Sequence, residues 1–83
     1  METKGTIKAI FDTQAVSDKF KKREFVITTE DKYPQDIMFQ TTQDKCGLLN
    51  NFTEGQTVTV SFNLRGRESN GKYYNTLEAW KIN

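Results

Sequence analysis

A chain of 83 residues with a net charge of +1 has room for one small domain, residues 1–83, and none for a second. Lacking histidine and holding a single cysteine, it excludes an ordinary zinc site, a Cys–His nucleophile pair and a Ser–His–Asp triad. No apolar run approaches the roughly 18 residues of a membrane helix and no secretory signal opens the chain, so the expectation is a cytoplasmic protein without membrane contact or cofactor.

Eleven threonines against three alanines favour strands, because branched side chains suit a pleated, half-buried surface. Residues 4–13 read as the first strand, with Ile7, Ala9 and Phe11 alternating. Ile10 is out of phase, which predicts a bulge. The polar stretch 17–23 reads as a loop, and 24–29 as the second strand. Residues 30–35, with the only proline at Pro34, form a turn. The third strand, 36–42, sets Ile37 and Phe39 on one face and Met38 and Gln40 on the other.

Leu48, Leu49 and Phe52 then recur three to four residues apart, the period of a short helix over 44–52. Asp44 is its expected N-cap, and Gly55 lies past its end. Residues 56–64 form the fourth strand, with Val58, Val60, Phe62 and Leu64 pointing one way. The stretch 65–72 reads as a hairpin loop, since Asn70-Gly71 is a strong turn signal and Gly66 allows a bend between two arginines. Residues 73–82 complete the set.

Strand, loop, strand, turn, strand, helix, strand, hairpin, strand is the order of an all-β, five-stranded OB-fold, a Greek-key barrel with a short helix between strands 3 and 4. Small barrels of the SH3 kind have no helix there. Closure also removes the exposed edges that invite aggregation around a thin core.

The excess positive charge is confined to two windows. Residues 17–24 and 65–72 each carry +2, while 25–64 carry −3 and both termini are neutral. In an OB-fold these windows are the loops that flank the groove of strands 2 and 3, where oligonucleotides and oligosaccharides bind. Together they are expected to form one basic surface able to attract a polyanion. Sequence-tolerant binding of single strands needs cations for phosphates and flat rings for bases. Lys19, Lys21, Lys22 and Arg23 surround Phe20, and Arg65, Arg67 and Lys72 lead into Tyr73-Tyr74.

Phe20 is the leading stacking candidate; the competing reading has it plug the barrel mouth. Phe11, Phe25, Phe39, Phe52 and Phe62 fall in core phase. Tyr73 and Tyr74 point to opposite faces, so one is expected buried and Tyr74 exposed. Trp80 reads equally as core or platform, depending on a bulge, and Tyr33 is a further candidate at the groove's far end. Glu30-Asp31 reads as a solvated pair without a metal. With no convergent acid–base set, an enzyme is not expected.

The runs Phe20-Lys21-Lys22-Arg23-Glu24-Phe25-Val26-Ile27, Tyr33-Pro34-Gln35, Asn63-Leu64-Arg65-Gly66-Arg67-Glu68 and Asn70-Gly71-Lys72-Tyr73-Tyr74-Asn75-Thr76-Leu77 resemble a family of short bacterial and phage proteins long labelled a domain of unknown function. That family is similar to single-stranded-DNA-binding OB proteins. The resemblance implies a non-enzymatic coat for single-stranded DNA in replication, recombination or repair. Many relatives carry an aromatic where this chain has Ser69, so a stacking contact is expected to be missing there. Many bacterial single-strand-binding proteins also end in a flexible acidic tail that recruits partners; this sequence stops at Lys81-Ile82-Asn83, and recruitment through such a tail is not expected. An RNA ligand, or a protein-interaction module instead of a nucleic-acid binder, stands as the alternative, and homo-oligomerisation is left open.

Overall fold

The structure, a computed structural model, describes residues 1–83. Strands β1 (Glu2–Ile10), β2 (Gln14–Ser17), β3 (Phe20–Thr29) and β4 (Asp36–Thr42) lead into a 3-10 helical segment, Gln43–Asn51. Strands β5 (Thr57–Ser69) and β6 (Lys72–Ile82) follow. The sheet runs β1-β5-β6-β4-β3-β2, and β1 also pairs with β3, which closes the ring. This is the expected OB-fold, with the helical segment between the third and fourth barrel strands. No helix is long and apolar enough to cross a membrane.

Closure depends on bulges. Ile7 faces Ile27 and Ala9 faces Val26, so Lys8 is the extra residue in β1. The strand bends there, pairing with β5 through Glu2–Thr6 and with β3 through Gly5–Ile10. Gly5 lies where both neighbours are engaged, and a Cβ there would collide with the Thr28 carbonyl oxygen. The bulge also turns Ile7 and Ile10 inward and sends Phe11 outward, which corrects its core assignment: Phe11 is 48% exposed. A second bulge lies at Trp80, since Ser61 faces Lys81 while Phe62 faces Ala79. Ala79 and Ile82 are both buried as a result, and Trp80 stays outside.

The core gathers Ile7, Phe25, Ile27, Phe39, Leu49, Val58 and Val60, with Phe52 and Phe62 packed against it. Phe39 stacks on Phe25 with centroids 5.5 Å apart and meets Phe62 edge-on at 5.1 Å. Thr41, Thr29 and Ser61 are buried beside these residues, and their hydroxyls find partners in Arg23 O, Gln35 N and Glu2.

Neither basic window is a loop. Residues 17–23 are mostly strand: β2 and β3 form a hairpin with Asp18 and Lys19 at its tip. Gln43 stabilises it, its Nε2 donating to Lys19 O at 2.8 Å and its Oε1 accepting from Lys21 N at 3.3 Å. Residues 65–72 extend β5 and β6 as a two-stranded ribbon beyond the barrel. Asn70 and Gly71, at φ 54° and 79°, make the primed turn that suits strand twist. Gly66 makes no bend; it lies flat in β5 opposite Asn75.

The ribbon has no barrel beneath it. Leu64 keeps its phase yet is 58% exposed, and Tyr73 and Tyr74 are both exposed instead of one being buried. Asp44 is not the N-cap either: the helical segment begins at Gln43 after Thr42, without a side-chain cap.

Candidate nucleic-acid interface

The outer face of β3 and β4 carries the cross-strand pairs Lys22–Thr42, Glu24–Gln40, Val26–Met38 and Thr28–Asp36. Strand β6 runs parallel to β4 and meets it at Gln40–Glu78. From that contact the two strands splay, because β6 leaves the barrel with the ribbon. The gap is an open cleft of about 470 Å³, walled by Glu24, Met38 and Gln40 on one side and Leu64, Asn75 and Leu77 on the other.

Smaller clefts prolong this one in both directions. Beyond Glu78 lies a cleft with Lys45 and Trp80 that reaches Gln43. Gln43 also borders the cleft around Lys19, Phe20 and Lys21. At the other end, Thr76 is shared with a cleft formed by Arg65, Arg67 and Tyr74. The clefts thus follow one another as a trough from Phe20 past Trp80 to Tyr74, its two halves meeting at the Gln40–Glu78 contact.

The two basic windows flank this trough instead of pooling into one patch, contrary to expectation. Phe20 to Lys22 sit at the Thr42 end of β4, whereas the ribbon's unpaired cations, Arg67 and Lys72, lie four or more residues along the β5–β6 ribbon from the Gln40–Glu78 contact, Arg67 opposite Tyr74 and Lys72 opposite Ser69. Asp36 and Thr42 are the two ends of the seven-residue β4, on the order of 20 Å apart. Between the ends the trough carries the carboxylates of Glu24, Asp36, Asp44 and Glu78.

Most of the anticipated side chains reach the trough. Lys19, Lys21 and Lys22 are unpaired, Phe20 is 37% exposed, and Trp80 presents its ring at the bulge. Arg67 stands 5.5 Å over the Tyr74 ring, while Lys72 closes the ribbon opposite Ser69. Arg65 is held by Glu78 at 3.3 Å. Tyr33 is well exposed, with Lys32 Nζ 5.7 Å from its centroid, but borders none of the trough's clefts.

Arg23 departs from expectation. Its Nε donates to Phe11 O at 2.7 Å, and its Nη1 donates to Asn50 Oδ1 at 2.8 Å and Cys46 O at 3.4 Å. It shares the inward face of Phe25 and ties the helical segment to the barrel mouth. Arg23→Ala is therefore expected to lower folding stability by about 1.5–3 kcal/mol, the range for hydrogen bonds to a charged group. A urea titration measures this; an unchanged midpoint would remove the tether.

Lys45, Met38, Leu64 and Glu24 border the trough without having been anticipated there. Met38 and Glu24 had a signal, since both alternate with buried phenylalanines. Lys45 and Leu64 had none, being placed by the path of β6.

Asp36 is braced by Lys8, whose Nζ donates to Oδ2 at 2.7 Å, and by Thr28 Oγ1, donating to Oδ1 at 2.7 Å. These bonds hold its carboxyl below the usual carboxylate range, Lys8 contributing most. The stabilisation is complete above that range and fades as pH falls through the lowered value.

The fold has structural counterparts. The chain is similar to the mitochondrial single-stranded DNA binding protein of S. cerevisiae, with a TM-score of 0.82 at 14% identity over 100% of this chain and 90% of that one. It is also similar to the N-terminal domain, in a dimeric structure, of the PriB protein from Thermoanaerobacter tencongensis, at 0.72 and 15% over 100% and 91%. A small single-stranded DNA-binding protein from Streptomyces coelicolor follows at 0.60 and 10%, over 100% and 90%. At such identities the likeness establishes the OB-fold. No curated protein sequence matches significantly. Residues 2–83 match the family described as Domain of unknown function (DUF3127), and the chain belongs to that family.

Proposed function

We propose that this protein binds single-stranded DNA with little sequence preference and without catalysis, serving replication, recombination or repair in a bacterium or phage. The observation that carries this reading is the trough itself, with exposed rings at Phe20, Trp80 and Tyr74 and unpaired cations at both ends. Cations spaced along a groove track phosphates, and each exposed ring offers a π-face to any base. Its span of about 20 Å suits the roughly 4–16 nucleotides that one OB-fold covers. Two of the three structural counterparts are described as single-stranded-DNA-binding proteins, which supports the same reading.

Trp80 provides the test. Adding oligothymidylate is expected to quench its fluorescence, and Trp80→Ala is expected to weaken binding in a filter assay by about 1–3 kcal/mol, the value of one stacked base. Wild-type affinity in Trp80→Ala would remove the stacking role, and tighter binding of oligouridylate would reassign the ligand to RNA.

A further inference from the structure

The wide cleft between β4 and β6 is chemically unlike the rest of the trough. It holds no unpaired cation, and its nearest carboxylates differ in state. Asp36 is held by Lys8 and Glu78 by Arg65, while no ion pair engages Glu24. Glu24 is half-buried and stands directly across from Gln40 in the β3–β4 register, so the two side chains start only about 5 Å apart. Met38, Leu64 and Leu77 supply apolar surface beside them. A phosphate is repelled by the free carboxylate, but a base that offers hydrogen-bond donors is not.

Resting on the single-strand reading above, we propose that this cleft binds one guanine of the bound strand by its Watson–Crick edge. Glu24 accepts from N1–H and from the N2 amino group, and the Gln40 amide donates to O6. The complementarity singles out guanine. A carboxylate has two acceptor oxygens and no donor, and guanine alone presents two adjacent donors on that edge. Thymine sets one N–H between two carbonyls, which would face the carboxylate acceptor to acceptor. Cytosine and adenine each offer one amino group beside a ring acceptor. The rest of the strand is held by phosphates and stacking, so this is one reading position on an otherwise tolerant surface.

The test compares an oligothymidylate of about 15 nucleotides, within the site sizes of OB-folds, with the same strand carrying one central guanine. The guanine strand is expected to bind about fivefold or more tightly, the lower end of what a bidentate pair confers. Inosine, which lacks the N2 amino group, is expected to fall between the two. Glu24→Gln is expected to bring the guanine and thymine strands to one affinity. Equal binding by the wild-type protein, or a guanine preference that survives Glu24→Gln, would overturn the assignment. Failure of every strand to bind would overturn the single-strand reading itself, and this inference with it.

Discussion

Affinity for oligothymidylate is expected to fall about a hundredfold as salt rises from about 50 to about 200 mM. The cations free to meet phosphates are Lys19, Lys21 and Lys22 at one end of the trough, Lys45 in the middle, and Arg67 and Lys72 on the ribbon. Each phosphate neutralised on a single strand adds about −0.7 to the slope of log affinity against log salt. With about five contacts the slope is about −3.5, and a fourfold rise in salt removes about two log units. Lys22→Ala or Arg67→Ala should each make the slope shallower by about 0.7. Arg23→Ala should not, because its guanidinium is already committed to Phe11, Asn50 and Cys46. A fluorescence titration across a salt series decides this, and a flat response would defeat the phosphate-tracking role.

Phe39→Ala is expected to destabilise the fold by about 3–5 kcal/mol, the usual loss when a buried phenylalanine is truncated. For a chain of 83 residues the total stability expected is about 4–12 kcal/mol, so this one change removes a large share of it. Phe39 is 1% exposed and lies between the rings of Phe25 and Phe62. A closed barrel cannot collapse onto the void without breaking the β3–β4 ladder, in which Phe39 faces Phe25. Chemical denaturation monitored by circular dichroism measures the loss. A midpoint close to wild type would mean that the barrel repacks around the missing ring.

The strands and their order were legible because a half-buried strand writes its two faces into alternate residues. β4 matches its expected bounds at both ends, and Val58, Val60, Phe25 and Ile27 are in the core as their phase requires. The turn at Asn70-Gly71 was equally plain, since few residue pairs accept positive φ in succession. The bulge in β1 announced itself through Ile10. Its consequence, the outward turn of Phe11, follows once the extra residue is placed at Lys8.

Charge misled where periodicity was silent. Lys-Lys-Arg and Arg-Gly-Arg read as loop because polar runs are usually solvated connections. In the structure those runs are strand, since a backbone ladder needs only a partner strand and tolerates cations on either face. Arg23 was grouped with its lysine neighbours by composition. Its inward parity with Phe25 was visible in the sequence, but the three acceptors that claim it come from residues 11, 46 and 50, which no local pattern connects.

By itself the sequence determined the number and order of the barrel strands, the position of the helical segment, most of the core and the tight turn at Asn70-Gly71. Each of these is set by interactions among neighbouring residues or by which face of an element is apolar. Only the tertiary structure decided that the basic windows stand at opposite ends of one trough, that Trp80 is outside and Arg23 inside, and that Glu24 and Gln40 share a cleft. Those facts depend on the register between paired strands and on where β6 parts from β4. Register is an agreement between two strands, and neither strand alone contains it.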